Sequence, residues 1–574
     1  MIDIVIDKNS SNPRFLIILY FILSFLTNFV YSDIQKSILV DSAAVACAEP
    51  LAAEVGIEIL KDGGNAIDAV TAVAFTMAVT NPRAGNLGGG GFIVLRKNNG
   101  ELFCLDFRET APRKAKYDLF SEDQKNENPP KSLIGALAPG VPGTVRGLYF
   151  AHQKYGDIPW ERLLEPAIKY ARSGFAVYEE LHSSLKYKKK YFEGFPESMK
   201  IFFPHGEAID VGDTLRQPYL ANTIEEISIF GDSVFYEGEI AEEIVRSVKK
   251  YGGILTIEDL KNYSAKVRAP VKFDYRDYTV ISMAPPSSGG LVLNGILNTL
   301  ELEDISDSFE HNSPNYIALL SEVEKRWYAY RNLYLADPDF VEIPFHLFTS
   351  KTTSKEIMNS LSLNNPYPSD QMSEYRKIQI NEKSETTHIS ILDPKGNAVA
   401  LTYTLNGSFG SCMVAGKTGI LLNNEMDDFS VKPGSPNLYG LVQGWVNAIE
   451  PGKRMLSSMT PTIIEKNSSL EGLLGTPGGS TIITSVLQII LNKIDFKMTL
   501  EDAMAVGRFH HQWLPDTIYY EKNKFPVPVI DELQQRDFRF KPVSSIGDVQ
   551  AIWRLGNQWE VCSDKDGTGI PKGY

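Results

Sequence analysis

The feature that most constrains the fold is a pair of alternating, β-branched runs arranged symmetrically around a turn. The segment TTHISILDPKGNAVALTYTLN, residues 386–406, has the turn letters DPKGN between the two runs. Strong turn chemistry between alternating runs is typical of a β-hairpin. Pairing that is symmetric about Lys395 puts Thr386 opposite Thr404, with their Cβ atoms about 4.5–5.5 Å apart. A bulge at Gly396 would shift this register by one residue, so the pairing is a hypothesis.

The upstream chain alternates helical and loop segments. Residues 42–80 are predicted to be helical, with a break at the glycines of KDGG and a new start at Asn65, an N-cap in a capping box with Asp68. This second helix should end near Asn81 because a proline follows. The run GNLGGGG, residues 85–91, leads into a strand; it lacks both the GxGxxG spacing and a following Lys-Ser/Thr, so nucleotide binding is not expected. The segments PWERLLEPAIKYARSGF and SPNYIALLSEVEKRWYAYRNLYLADP predict two further helices that pack through aromatic stripes.

The composition excludes several classes of protein. With 574 residues and 43% hydrophobic side chains, the chain has ample apolar mass for a large core. Its net charge of -14 argues against a nucleic-acid partner, because phosphate binding needs a basic face. Four scattered cysteines do not make a disulfide framework, so we expect them to be small buried residues. The histidines show no HExxH and no zinc-site spacing, so no metal and no other cofactor is expected.

The amino-terminal segment predicts export. Arg14 precedes the uncharged run FLIILYFILSFLTNFVY, residues 15–31, which is short for a membrane span but suits the core of a signal peptide. Small residues precede a cut between Ser32 and Asp33, so residues 1–32 are predicted to be a signal peptide. Retention of 15–31 as a membrane anchor is the alternative. In either case the body is exported, to the periplasm or the medium, because no other segment approaches the length of a span.

Ten ordered motifs carry a family resemblance. TTHISILDPKGNAVALTYTLNGSFG, GILLNNEMDDFS, LSSMTPT, GTPGGS and RFHHQWLP follow one another from residue 386 onward. Together they resemble the small subunit of a bacterial γ-glutamyltranspeptidase. Upstream, GGNAIDA, NPRAGNLGGGGF, LDFRETAP, PGVPGTVRG and PPSSGG resemble its large subunit. A single motif is weak evidence, but the ordered set from about residue 40 to the carboxyl terminus is specific.

The resemblance implies a fold and a maturation step. The fold is that of the N-terminal-nucleophile hydrolases, an α+β architecture of four layers (αββα) built from two subunits of one self-cleaved precursor. Thr386 Oγ would attack the carbonyl of Glu385, and cleavage would leave a large subunit, 33–385, and a small subunit, 386–574, which form a heterodimer. The new α-amine has an ordinary pKa of about 7.7–8.0 and can take the proton of its own hydroxyl. His388 is then not needed as a base and is expected to be structural.

The implied activity is that of a γ-glutamyltransferase and glutathione hydrolase. Thr386 would take the γ-glutamyl group from glutathione or a related donor and pass it to water, an amino acid or a peptide. The hydroxyl of Thr404 would hold that of Thr386, and the backbone N–H groups of Gly478 and Gly479 would stabilise the oxyanion. The remaining residues implied at the site are Arg108, Ser457 and Ser458 at the donor α-carboxylate, Asn406, Glu425 and Asp428 at its α-ammonium, and Tyr439 in the lid KPGSPNLYGLVQGW. An arginine suits a carboxylate because its fork binds both oxygens. The segment RFHHQWLP is expected to be structural.

Two alternatives are weighed against this hypothesis. A related acylase of the same fold, acting on glutaryl-type amides, should lack the full set of Arg108, Asp428, Ser457 and Ser458. An uncleaved, non-catalytic relative would have no use for Thr386 or for the glycine pair. The sequence retains all of these residues, which favours the transpeptidase.

Overall fold

The structure is a computed structural model that describes residues 35–120, 129–372, 384–431 and 433–574. The export segment 15–31 and the predicted cut between Ser32 and Asp33 lie outside the described residues, so both stay predictions. None of the helices in the described ranges combines the length and the apolar character that crossing a bilayer requires.

Strands and helices occur throughout the described chain. The strands are β1 (Ser37–Val40), β2 (Ala44–Cys47), β3 (Gly90–Arg96), β4 (Leu102–Asp106), β5 (Phe175–Ala176), β6 (Thr214–Leu215), β7 (Lys266–Arg268), β8 (Val271–Tyr275), β9 (Tyr278–Ser282), β10 (Ser384–Leu392), β11 (Ala398–Gly407), β12 (Thr462–Lys466), β13 (Ser469–Gly475), β14 (Phe509–His510), β15 (Ile518–Glu521), β16 (Phe540–Val543), β17 (Gln550–Leu555), β18 (Gln558–Ser563) and β19 (Lys572–Gly573). The helices are α1 (Pro50–Lys61), α2 (Ala66–Thr80), α3 (Thr144–Tyr155), α4 (Trp160–Ser173), α5 (Glu179–Phe192), α6 (Pro196–Phe202), α7 (Pro218–Phe230), α8 (Ser233–Glu237), α9 (Glu239–Lys250), α10 (Ile257–Lys261), α11 (Gly289–Leu300), α12 (Ile305–Ser308), α13 (Pro314–Tyr334), α14 (Phe345–Thr349), α15 (Lys351–Asn359), α16 (Thr481–Ile494), α17 (Leu500–Ala505) and α18 (Val527–Gln535).

Two seven-stranded sheets form the centre of the molecule. The first sheet has the order β1-β18-β17-β13-β12-β9-β8, and the second has the order β19-β2-β10-β11-β3-β4-β7. Every pair of neighbouring strands within these two sheets is antiparallel. Each strand therefore presents alternate residues to opposite faces of its sheet.

Apolar side chains bind these elements into four layers. Phe92 and Val94 of the second sheet share a core cluster with Ile463 and Leu473 of the first, so the two sheets pack face to face. Helices α1 to α4 share another cluster with the outer face of the second sheet. Helices α11, α13 and α16 cover the outer face of the first. The order is helix, sheet, sheet, helix, which confirms the predicted αββα fold.

The hairpin of β10 and β11 has the predicted register. Thr386 lies opposite Thr404, and Leu392 lies opposite Ala398. The alternative with a bulge at Gly396 is wrong, because the register is regular from Thr386 to the turn. The irregularity lies at the other end of the strand, between residues 384 and 386. Both strands are inner strands of the second sheet, but Thr386 itself pairs only with β11, because the pairing of β10 with β2 begins at Ile389.

The helical predictions hold except at one strand. Asn65 caps α2 with the predicted capping box, and the helix ends at the C-cap Asn81. The two aromatic segments form α4 and α13 as predicted, and all four cysteines are free and buried. The predicted helical stretch 42–80 is wrong at its start, because Ala44–Cys47 is β2. This strand pairs with β10, where Cys47 lies opposite Ile389, so contacts with a remote segment decide its conformation.

Candidate active site

A cavity opens where β4, β11 and β13 end and β10 begins. Its empty volume is about 300 Å³. Ten of the eleven predicted site residues line it, namely Thr386, Thr404, Gly479, Arg108, Asn406, Glu425, Asp428, Ser457, Ser458 and Tyr439. Gly478 is not in the cavity wall, but it is the neighbour of Gly479. The structure thus brings the predicted residues to one place, while their individual roles stay predictions.

The two threonines at the cavity make the contact that their register predicts. Thr386 Oγ1 donates a hydrogen bond of 3.2 Å to Thr404 Oγ1. Thr404 Oγ1 also accepts the backbone N–H of Asn406 at 2.7 Å, which fixes the position of this oxygen. Both threonines are buried, at 6% and 3% exposed. The Thr386 hydroxyl therefore has one defined orientation in the uncut chain, along the line to Thr404.

Arg108 is one of two buried arginines in the cavity wall and lies two residues after the end of β4. Its Nη1 lies 2.7 Å from Glu425 Oε2, and its Nη2 donates to Asp428 Oδ2. Glu109 Oε2 lies 3.5 Å from Nη1, and Nε donates to the Met455 carbonyl at 3.3 Å. The guanidinium thus contacts Glu425 and Asp428, two carboxylates that the sequence analysis assigned to the donor ammonium.

Three carboxyl groups surround this single guanidinium. Burial would lower the pKa of Arg108, but Glu425, Asp428 and Glu109 raise it above its usual value, so the group stays charged. Burial raises the pKa of Glu425 and of Glu109, although Arg108 opposes this rise. Glu109 also raises the pKa of Glu425, and Asp428 raises the pKa of both, so these two carboxyl groups take up a proton at a higher pH than usual. A ligand with both a carboxylate and an ammonium group suits this arrangement because it adds one charge of each sign.

A second buried arginine, which the sequence analysis missed, supports the serine pair. Ser458 Oγ accepts a 2.8 Å hydrogen bond from Arg331 Nη2, and Ser457 Oγ accepts the N–H of Met459 at 3.1 Å. Arg331 lies on α13, is 1% exposed and lines the same cavity. The available signal was its position on the buried side of that helix, four residues after Trp327.

The glycine pair lies between β13 and α16, against the lid. Gly478 and Gly479 have φ of 141° and 55°, conformations that favour glycine. A Cβ on Gly479 would lie 2.5 Å from Cδ1 of Tyr439, so the ring packs directly on this backbone. Tyr439 Oη donates to the Asn406 carbonyl at 2.6 Å. Tyr439, the predicted lid residue, therefore contacts both the glycine pair and the end of β11.

His388 is arranged as a structural residue. Ser390 Oγ donates to the Gln550 carbonyl, so it accepts from His388 Nε2 at 3.0 Å, and Nδ1 then accepts from Thr402 Oγ1 at 2.7 Å. Burial lowers the pKa of His388 to about 3, which keeps the ring neutral. In the described ranges, no group of three or more His, Cys, Asp and Glu side chains is arranged to hold a metal ion.

Comparison with known sequences gives one family over most of the chain. The family model described as Gamma-glutamyltranspeptidase matches residues 52–574. The glutathione hydrolase proenzyme of Escherichia coli is 45% identical over 526 residues, which are 91% of this chain and 90% of that protein. The glutathione hydrolase proenzyme of Pseudomonas aeruginosa is 42% identical over 535 residues, 92% of this chain and 94% of that protein.

Comparison with solved structures gives the same fold. The γ-glutamyltranspeptidase of Helicobacter pylori is 41% identical with a TM-score of 0.55, over 57% of this chain and 93% of that chain. The cephalosporin acylase of Bacillus halodurans has a TM-score of 0.82 over 95% of this chain and 98% of that chain. Its identity of 24% is too low to say more than that the fold is shared.

Proposed function

The chain belongs to the γ-glutamyltranspeptidase family, and from that premise we propose that it is a self-processing γ-glutamyltransferase and glutathione hydrolase. Its relatives in Escherichia coli and Pseudomonas aeruginosa are glutathione hydrolase proenzymes. Glutathione and related γ-glutamyl compounds are the donors that we assign to it. The acceptors are water, amino acids or short peptides.

The first reaction is cleavage of the chain before Thr386. Thr386 Oγ attacks the carbonyl carbon of Glu385, the peptide C–N bond breaks, and the nitrogen leaves as the α-amine of Thr386. The resulting ester is hydrolysed, which frees the Glu385 carboxylate and returns the hydroxyl. The register irregularity between residues 384 and 386 supports this step, because the scissile bond lies where the ladder is interrupted. The products are a large subunit, 33–385, and a small subunit, 386–574.

The second reaction uses the new chain end. The free α-amine has an ordinary pKa near 7.7–8.0 and accepts the proton of the Thr386 hydroxyl. The oxygen attacks the γ-carbonyl of the donor, and the Gly478 and Gly479 N–H groups stabilise the oxyanion. The proton passes to the leaving amine, and a γ-glutamyl ester remains on Thr386. Water or an acceptor amine then attacks this ester and regenerates the hydroxyl.

Donor selection follows from the charges around Arg108. The α-carboxylate of the donor binds Arg108 with the hydroxyls of Ser457 and Ser458, in place of the carboxylates of Glu425 and Asp428. Glu425 and Asp428 are then free to bind the α-ammonium, together with Asn406. The zwitterionic end of glutamate is thus recognised at both poles, which leaves the γ-carbonyl for Thr386.

The assembly and the location are further parts of the proposal. The two fragments stay together as a heterodimer because they share both sheets. We place the mature enzyme outside the cytoplasm, in the periplasm or the medium, on the evidence of the apolar segment 15–31. Anchoring by that segment is the alternative.

One observation carries the proposal: the Thr386 hydroxyl at the start of β10, fixed by Thr404, shares a cavity with two buried arginines and with the carboxyl groups of Glu425 and Asp428. The test compares γ-glutamyl-p-nitroanilide with glutaryl-p-nitroanilide, which lacks only the α-ammonium group. We expect γ-glutamyl turnover to exceed glutaryl turnover by at least about 100-fold, because the acidic side chains would otherwise stay unpaired. Thr386→Ala should be inactive with both. Equal rates would indicate the acylase alternative, and no turnover in a folded wild type would indicate the non-catalytic one.

A further inference from the structure

The segment RFHHQWLP, which the sequence analysis took as structural, supplies a side chain that contacts the lid and the glycine segment together. Gln512 lies just after β14 and is 1% exposed. Its Oε1 accepts from Ser480 Oγ at 2.6 Å, and its Nε2 donates to the Tyr439 carbonyl at 3.0 Å. One amide group thus connects two segments that are far apart in the chain.

The chemistry of its neighbours fixes how this amide is oriented. Nε2 faces the carbonyls of Tyr439 and Leu514, at 3.0 and 3.2 Å, and carbonyls can only accept. Oε1 accepts from Ser480 Oγ and lies 2.9 Å from His510 Nε2. Reversing the amide would set its oxygen against the carbonyl oxygens of Tyr439 and Leu514. The bridge therefore has one direction, with acceptance from Ser480 and donation to Tyr439.

Each end of the bridge is close to a part of the cavity. Ser480 is the N-cap of α16 and directly follows Gly479, and its carbonyl accepts the hydroxyl of Tyr328. Tyr439 packs its ring on Gly479 and hydrogen-bonds the Asn406 carbonyl. The lid turn is held at a second point as well, because Leu438 N–H donates to Asp427 Oδ2 at 2.7 Å. Gln512 binds the backbone of this turn from outside the cavity.

We propose that Gln512 is a positioning residue that couples closure of the lid to the geometry of the Gly478–Ser480 segment. When the lid is closed, the Tyr439 carbonyl accepts a hydrogen bond from Gln512 Nε2 and so orients the amide. In this orientation Gln512 Oε1 accepts from Ser480 Oγ. When the lid is open, Gln512 Nε2 no longer donates to the Tyr439 carbonyl. The amide is then no longer fixed in place, and Ser480 Oγ loses its fixed acceptor. Because Gly479 precedes Ser480, the Gly478 and Gly479 N–H groups that are proposed to stabilise the oxyanion become ordered only when the γ-glutamyl substrate is enclosed. This inference rests on the proposed function for its catalytic consequence, but the bridge itself does not depend on it.

The main test removes one hydrogen bond of the Gln512 bridge at a time. Gln512→Glu keeps an oxygen for Ser480 and His510 but replaces the donor to Tyr439 with a second oxygen. We expect kcat/KM for γ-glutamyl-p-nitroanilide to fall about 10-fold or more, with a raised KM, in protein first shown to be cleaved before Thr386. Chymotrypsin should also cut after Leu438 or Tyr439 about 10-fold faster, because both side chains are only 9% exposed when the lid is closed.

Gln488→Glu is the matched control. Gln488 is 3% exposed, and its Nε2 donates to the carbonyls of Thr484 and Phe509 without touching the lid or Ser480. It should lower the Tm while leaving KM and the chymotrypsin rate within about 2-fold of wild type. If Gln512→Glu and Gln488→Glu change KM and proteolysis alike for the same loss of Tm, the coupling is refuted.

A double variant separates a bridge from two independent contacts. Ser480→Ala removes the hydrogen bond at the other end of the bridge. The kcat/KM of the double variant with Gln512→Glu should therefore be no more than about 2-fold below that of the less active single variant. Multiplying effects would contradict the proposal. The chymotrypsin arm also works on uncut or inactive chain. A wild type without γ-glutamyl turnover would therefore refute the proposed function, and unchanged proteolysis in Gln512→Glu would refute the bridge.

Discussion

Arg331 serves the site through neutral partners, with no acidic side chain of the described residues within ion-pair distance. Its guanidinium donates to Ser288 Oγ, Asn332 Oδ1 and Ser458 Oγ, all neutral acceptors, at 2.8–2.9 Å. Burial lowers its pKa to about 10, which still leaves it charged at neutral pH. A cation with neutral partners attracts an incoming carboxylate more strongly than one already neutralised by acids.

We therefore expect Arg331→Met to raise the KM for γ-glutamyl-p-nitroanilide about 10-fold or more, with a smaller effect on kcat. Arg331→Lys should retain part of the affinity because it keeps the charge, although it loses the fork that holds Ser458. Steady-state kinetics on cleaved protein give both values. If the Lys and Met variants have the same KM, the charge of Arg331 does not contribute to donor binding.

His388 makes a prediction about stability against pH. Its pKa in the folded chain is about 3, below its ordinary value of about 6.5, so its contribution to stability is complete above pH 6.5 and is lost as the pH falls. Well below pH 6, this single group should reduce the free energy of unfolding by about 1.4 kcal/mol per pH unit. His388→Gln should accordingly show a smaller drop in Tm between pH 7 and pH 5 than wild type. Equal drops would mean that His388 takes up no extra proton on unfolding.

At the scale of elements, the sequence was most informative where local chemistry settles the geometry. The DPKGN turn and the alternation on both sides of it determine the register of β10 and β11, and so the contact between Thr386 and Thr404. The strand β2 was missed because four small residues carry little signal and their pairing partner, β10, is remote. The contacts of Arg108 with Glu425 and Asp428 could not be derived from local patterns either, since these two carboxylates come from a separate turn that only the fold brings near.

The turn from β13 into α16 can be tested with a matched pair of glycines. Gly479 and Gly452 have φ of 55° and 79°, but a Cβ on Gly479 would meet Tyr439 whereas one on Gly452 would meet nothing within 4 Å. Alanine at either position should cost about 1–2 kcal/mol of stability from the left-handed backbone. Only Gly479→Ala should also lower kcat/KM, by about 10-fold or more, because it displaces the lid ring. A comparable loss of kcat/KM in Gly452→Ala would assign the effect to backbone strain instead.

The whole molecule explains why a cut before Thr386 is compatible with a stable product. In the second sheet, β10 and β11 lie between β2 and β3, and in the first sheet β12 pairs with β9. Fragments 33–385 and 386–574 would thus share both sheets and the apolar layer between them. Separating the two fragments would expose that apolar layer to water. The cut therefore creates a new chain end while the two fragments stay associated.

The central claim is that Thr386 works as a chain end, and mass spectrometry of the purified enzyme tests it most directly. Samples are taken during maturation, and the intact mass of each species is measured beside its γ-glutamyl turnover. The account predicts that activity rises in proportion to a fragment that begins at Thr386 and ends at Tyr574. Full activity in chain whose Glu385–Thr386 bond is still intact would contradict it.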